Sequence, residues 1–148
     1  MRESDVYDLG TYALTAALTG QVITSQSDEQ RATQAYLDGM EGIQSALLQI
    51  NFVYGSGGTN CRVMIETTID DGTTWVEVWR ALFTTASEEN IVNLTNAALT
   101  TPYTPAALSD DTVKDGILGN RWRTKVTSTG TYAGNTSIAV RMHARMPQ

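Results

Sequence analysis

Apolar side chains recur at every second position through much of this chain, and that alternation restricts it to β-structure. From Ala46 to Tyr54, Leu48, Ile50, Phe52 and Tyr54 point one way, while Leu47, Gln49, Asn51 and Val53 point the other. Such a segment is expected to be a central, buried strand. Gly55, Gly57 and Gly58 follow, and their freedom to adopt positive φ predicts a hairpin into Cys61–Thr68. In that second run Cys61, Val63 and Ile65 share one face, opposite Arg62, Met64 and Glu66. Trp75 to Phe83 reads as a strand with a bend or bulge near Arg80 and Ala81. Ile91 to Thr95 is a further strand, and Gln21–Thr24 and Arg31–Leu37 are shorter candidates. Arg121–Ser128 and Thr136–Met146 alternate strongly and are expected to form one long hairpin. Roughly eight strands with turn signals every eight to twelve residues predict an all-β fold, an antiparallel β-sandwich or jelly roll.

Two segments fall outside this pattern. Residues 1–19 contain Tyr7, Leu9, Tyr12 and Leu14 without a clean period, and they are expected to be an arm that assembles with a neighbour. Residues 20–148 would then be the sandwich domain. Between Asn96 and Asn120 the chain carries Pro102, Pro105 and the possible N-cap Ser109-Asp110-Asp111, which predicts a short helix from Thr112 to Leu118. Connections this long are commonly functional, so contact with a partner or outward projection is expected of it.

At 148 residues, one core suffices. The formal charge is −6, which argues against a nucleic-acid surface because phosphate binding needs a basic field. No apolar run approaches the ~20 residues of a membrane span, and Met1-Arg2-Glu3-Ser4-Asp5 opens unlike a secretory signal, so synthesis in a cytoplasm without a membrane partner is expected. Cys61 is the only cysteine and cannot form an internal disulfide.

No motif announces catalysis, a metal or a cofactor. Thr68-Ile69-Asp70-Asp71-Gly72-Thr73-Thr74-Trp75 resembles the Asp-box, a hairpin turn of sialidases and many unrelated β-proteins. A single box reads as a structural turn in which Asp70 accepts backbone N–H groups, Gly72 takes left-handed geometry and Trp75 covers the base. Asp70 and Asp71 lack the further carboxylates of a calcium loop. The glycines at 55–58 lack the order of a phosphate loop. His143, the sole histidine, shares a face with Arg141 and Arg145 and reads as a surface strand residue. Five of the ten Lys and Arg residues are Arg121, Arg123, Lys125, Arg141 and Arg145, all alternating with apolar neighbours. On a shared hairpin they would make, with His143, one basic face for an acidic partner protein, unless Glu66 or Glu77 on a neighbouring strand neutralises it.

Ile50–Thr59, Thr67–Trp75, Asp115–Arg121 and Arg123–Ser137 together resemble small virion-associated proteins of tailed phages and prophages. The likeness runs from about residue 45 to the C-terminus. It implies a non-enzymatic particle component, first of all a capsid decoration or cement protein on the major capsid protein, as a homo-oligomer with a trimer favoured. A tail, connector or fibre-base component is the alternative. A carbohydrate-binding domain around the Asp-box, Trp75, Trp79 and Trp122 is the reading of another class, and exposed, coplanar tryptophans would support it.

Overall fold

The computed structural model describes residues 3–28 and 31–147. Among these the strands are, in chain order, β1 (Asp5–Ala13), β2 (Gln21–Val22), β3 (Gln26–Asp28), β4 (Arg31–Gln34), β5 (Ser45–Val53), β6 (Ser56–Gly57) and β7 (Asn60–Thr68). They continue as β8 (Val76–Phe83), β9 (Glu88–Thr95), β10 (Thr112–Val113), β11 (Arg121–Thr129), β12 (Tyr132–Ala133) and β13 (Ser137–Arg145). The described residues contain no helix. A four-stranded sheet runs β1-β13-β5-β9 and a five-stranded sheet β10-β8-β7-β11-β2, with β12·β6 and β3·β4 as small ribbons. Every pairing is antiparallel.

The period of two places Leu48, Ile50 and Phe52 of β5 and Ile138, Val140 and Met142 of β13 on the inner side of the four-stranded sheet. Cys61, Val63, Ile65, Ala81, Phe83, Trp122 and Val126 line the five-stranded sheet in the same buried cluster. Phe52 stacks on Phe83 at 5.0 Å between ring centroids, so the two sheets meet in one core.

Both expected hairpins are replaced by crossings between sheets. β5 and β7 lie in different sheets, and so do β11 and β13. Alternation dictates which side of a sheet a residue faces and says nothing of which strand lies beside it. The two links run alongside each other, β6 pairing with β12. The glycines serve this close approach: a Cβ on Gly55 would lie 1.9 Å from the Gly134 carbonyl oxygen, and one on Gly58 would lie 2.4 Å from the Tyr132 ring. Tyr132 fills the corner, edge-on to Phe52 and Tyr54, and its hydroxyl donates to the Thr84 carbonyl at 2.8 Å.

The N-terminal segment is not a free arm. β1 pairs with β13 from Asp5 opposite Ala144 to Ala13 opposite Ser137, and Leu9 and Leu14 lie in the core with Tyr7 and Tyr12 packed against it. A bulge between Asp8 and Gly10 hides this strand from a period-two reading. The bulge turns the Leu9 carbonyl toward the other sheet, where it accepts hydroxyls from Thr124 at 2.7 Å and Thr24 at 3.1 Å. Thr24 Oγ1 in turn accepts the Thr124 N–H at 2.6 Å.

The helix expected at Thr112–Leu118 is also absent. Asp111 adopts φ 57°, where a helix cannot start, and Thr112–Val113 pairs with β8 instead. The carboxylates that would have capped the helix are engaged elsewhere: Asp110 on Arg62, Asp111 on the Leu82 N–H. In β8 the irregularity falls at Val78, between the pairs Ile65–Trp79 and Glu66–Glu77, not at Arg80 and Ala81.

Candidate functional site

The two sheets present very different outer faces. On the five-stranded sheet, β7, β8 and β11 turn Arg62, Glu66, Glu77, Arg80, Arg121, Arg123 and Lys125 outward, and the 96–120 segment is strapped across them. Lys114 N–H donates to the Val78 carbonyl at 2.8 Å, and Leu108 N–H donates to Glu77 Oε2 at 2.7 Å. At its end the Asp115 carboxylate accepts the Thr95 N–H and hydroxyl and the Gly116 N–H. Burial works to raise the Asp115 carboxyl, but these three donors hold it below the usual carboxylate range. The segment expected to project or meet a partner therefore covers its own sheet.

Under that cover the arginines are neutralised within the chain. Arg123 Nε lies 2.8 Å from Glu66 Oε1, with its guanidinium 4.1 Å above the Trp75 ring. Arg80 lies 2.9 Å from Glu77, and Arg62 lies 2.8 Å from Asp110, whose carboxyl the Arg62 hydrogen bond holds below its ordinary range. Arg121 donates to the Asp71 carbonyl at 2.8 Å, lies 3.6 Å from Asp38 and covers the Tyr36 ring at 4.6 Å. The half-buried Lys125 has no ion pair among the described residues. The single basic face expected of β11 and β13 is thus divided between two sheets, and on β11 Arg121 and Arg123 already meet carboxylates.

The Asp-box closes the link between β7 and β8. Asp70 Oδ1 accepts the Thr74 N–H and the Thr68 hydroxyl, both at 2.8 Å. The Thr74 bond, then the Thr68 bond, keeps the Asp70 carboxyl below its ordinary range. Gly72 sits at φ 93°, against the Trp75 ring. These contacts are all internal to the turn.

The outer face of the four-stranded sheet is bare by comparison. Across it, Val6 of β1, His143 of β13, Leu47 of β5 and Asn93 of β9 stand in one row, and Asp8, Arg141, Gln49 and Ile91 in the next. Val6 is 55% exposed, Leu47 42%, Ile91 56% and Val53 44%. Val6, Leu47, Gln49, Ile91, Arg141 and His143 line a shallow hollow of about 170 Å³. Arg141, His143 and Arg145 are exposed, and their side chains have no ion pair or hydrogen bond among the described residues. The sequence reading included the cations but missed Val6, Leu47, Val53 and Ile91. The available signal was β5 itself, which carries Leu47 and Val53 on the side opposite its core residues.

Among the described residues, no group of three or more His, Cys, Asp or Glu side chains could hold a metal ion. Among the described residues there is no helix long and apolar enough to cross a membrane. Cys61 is buried, and burial pushes its thiol up to about 12. Trp122 and Trp79 lie in the core at 0% and 3% exposure, and Trp75 lies half-buried beside Arg123.

No family model and no curated protein matches this chain. Among solved structures, a family 11 carbohydrate-binding module from Clostridium thermocellum, in complex with a β-1,3-1,4-mixed-linked tetrasaccharide, is similar over 97% of this chain and 90% of that one. The two are 16% identical and superpose with a TM-score of 0.30, a likeness too slight to bear on fold or ligand.

Proposed function

We propose that this chain is a non-catalytic structural component of a tailed-phage particle, first of all a decoration protein that binds and stabilises the head shell, with the outer face of its four-stranded sheet as an assembly surface. The observation that carries the reading is the contrast between the two faces. Arg62, Arg80, Arg121 and Arg123 each meet a carboxylate of their own chain, whereas Arg141 and Arg145 flank exposed Val6, Leu47 and Ile91 with no such partner. Apolar surface rimmed by unmatched charge is the chemistry of a protein contact. The resemblance of residues 45–148 to virion-associated proteins supplies the particle.

The test is binding of the purified protein to empty expanded shells. Saturation at a lattice-defined stoichiometry is expected, weakened by Arg141→Glu with Arg145→Glu and unchanged by an exposed substitution outside the face, such as Thr101→Ala. Absent or unsaturable binding rejects decoration. A tail, connector or fibre-base position is the alternative, and an image of the labelled protein in the intact particle distinguishes it.

A glycan-binding reading has one feature in its favour, a polar hollow of about 310 Å³ bounded by Glu66, Trp75, Glu77, Arg80, Lys125 and residues 105–107. Tryptophan fluorescence titrated with soluble oligosaccharides tests it: a saturable change abolished by Trp75→Ala supports the reading, and a flat titration rejects it.

A further inference from the structure

We infer that the occupant of the four-stranded sheet's outer face is a second copy of this chain, packed face to face about a two-fold axis near Leu47 and Ile91. This rests on the reading of that face as an assembly surface and adds the identity of what covers it. Of the seven large apolar side chains left exposed among the described residues, four stand here: Val6, Leu47, Val53 and Ile91. Four strands about 4.8 Å apart, each of about nine residues at about 3.3 Å, make a face of roughly 19 by 30 Å. With side-chain relief, that approaches the ~800 Å² per partner of an ordinary specific interface.

The charges on the face are complementary to one another when it is turned over. Arg145 stands opposite Ser45 at one end of β5, with His143 and Arg141 next along β13. Glu89 stands opposite Asn51, about 20 Å further along. Leu47 and Ile91 lie between these ends. A two-fold contact requires a patch that fits itself, and rotation about the middle of this one brings Arg145 of each copy onto Glu89 of the other. Arg141, nearest the axis, approaches its symmetry-related copy, a repulsion between exposed groups that salt screens and the apolar contacts outweigh. Glu89 is held in place by Gln49, whose Nε2 donates to it at 2.9 Å. Each copy carries −6, so the long-range field opposes pairing; at physiological salt it is screened beyond about 8 Å, leaving short-range apolar burial and the end-to-end ion pairs to decide. Threefold assembly would need a separate, heterologous contact.

Sedimentation velocity of the full chain, over a concentration series from low to several hundred micromolar, tests the pairing. Wild type should show a reversible two-copy species, which Leu47→Glu abolishes while the melting temperature stays unchanged. By symmetry Arg145→Glu and Glu89→Arg each break two ion pairs and should each weaken association by about tenfold. Combining them in one chain should restore it to within about threefold. A single-copy species at every concentration, or a two-copy species indifferent to all three changes, overturns the inference. If pairing is overturned but Arg145→Glu still impairs shell binding, the face contacts another particle protein and the assembly reading stands; if shell binding is unaffected too, that reading falls with it.

Discussion

Replacing Leu9 by alanine separates an edge strand from a detachable arm. Leu9 is fully buried at the bulge of β1, in the cluster that includes Leu14, Ile23 and Trp122. Truncation removes three buried carbons and leaves a cavity whose walls are held by both sheets, so about 3 kcal/mol of stability should be lost. For a chain of this length that corresponds to a fall in melting temperature of roughly 6–12 °C. Calorimetry and urea titration of Leu9→Ala, beside Thr11→Ala on the exposed side of the same strand, provide the measurement. The control should lie within about 0.5 kcal/mol of wild type, with the urea dependence unchanged in both. A melting shift for Leu9→Ala no larger than the control's would refute the placement of β1 in the core.

Other consequences are as direct. Gly58→Ala forces a Cβ against the Tyr132 ring at φ 67°, and a loss of about 2 kcal/mol or more is expected by denaturant titration. Asp115 has a folded-state carboxyl below its unfolded value, so its contribution is complete above about pH 5 and disappears as acid carries the protein down through the folded value. Asp115→Asn should therefore flatten the fall of stability between about pH 5 and pH 3, measured as melting temperature against pH. Cys61, buried with its thiol raised to about 12, should resist a thiol-specific disulfide reagent at neutral pH and react only after denaturant is added.

The positions of most strands were legible because each has one dry side and one wet side. Leu48, Ile50 and Phe52 declare β5, and Trp122, Val126, Ile138, Val140 and Met142 declare β11 and β13. Pairing was not legible, since an alternating strand fits any neighbour with the same face buried; hence the glycine-rich links read as hairpins when they are corners. β1 escaped because one extra residue at Leu9 breaks its alternation. The cap-like Ser109-Asp110-Asp111 misled because its acids serve Arg62 and Leu82, whose proximity only the folded chain reveals. Of the candidate face, Arg141, His143 and Arg145 were visible as a charged row, while their separation from Arg121, Arg123 and Lys125 depends on the crossing of the last link from one sheet to the other.

That crossing also bears on synthesis. β13 is an interior member of the four-stranded sheet, made more than a hundred residues after β1, which among the described residues has no other partner strand there. β1 must wait, with Tyr7, Leu9 and Tyr12 uncovered, until Ser137–Arg145 has been made. Nascent chains stalled before residue 137 should leave β1 protease-sensitive, and emergence of β13 should confer protection on both sheets at once.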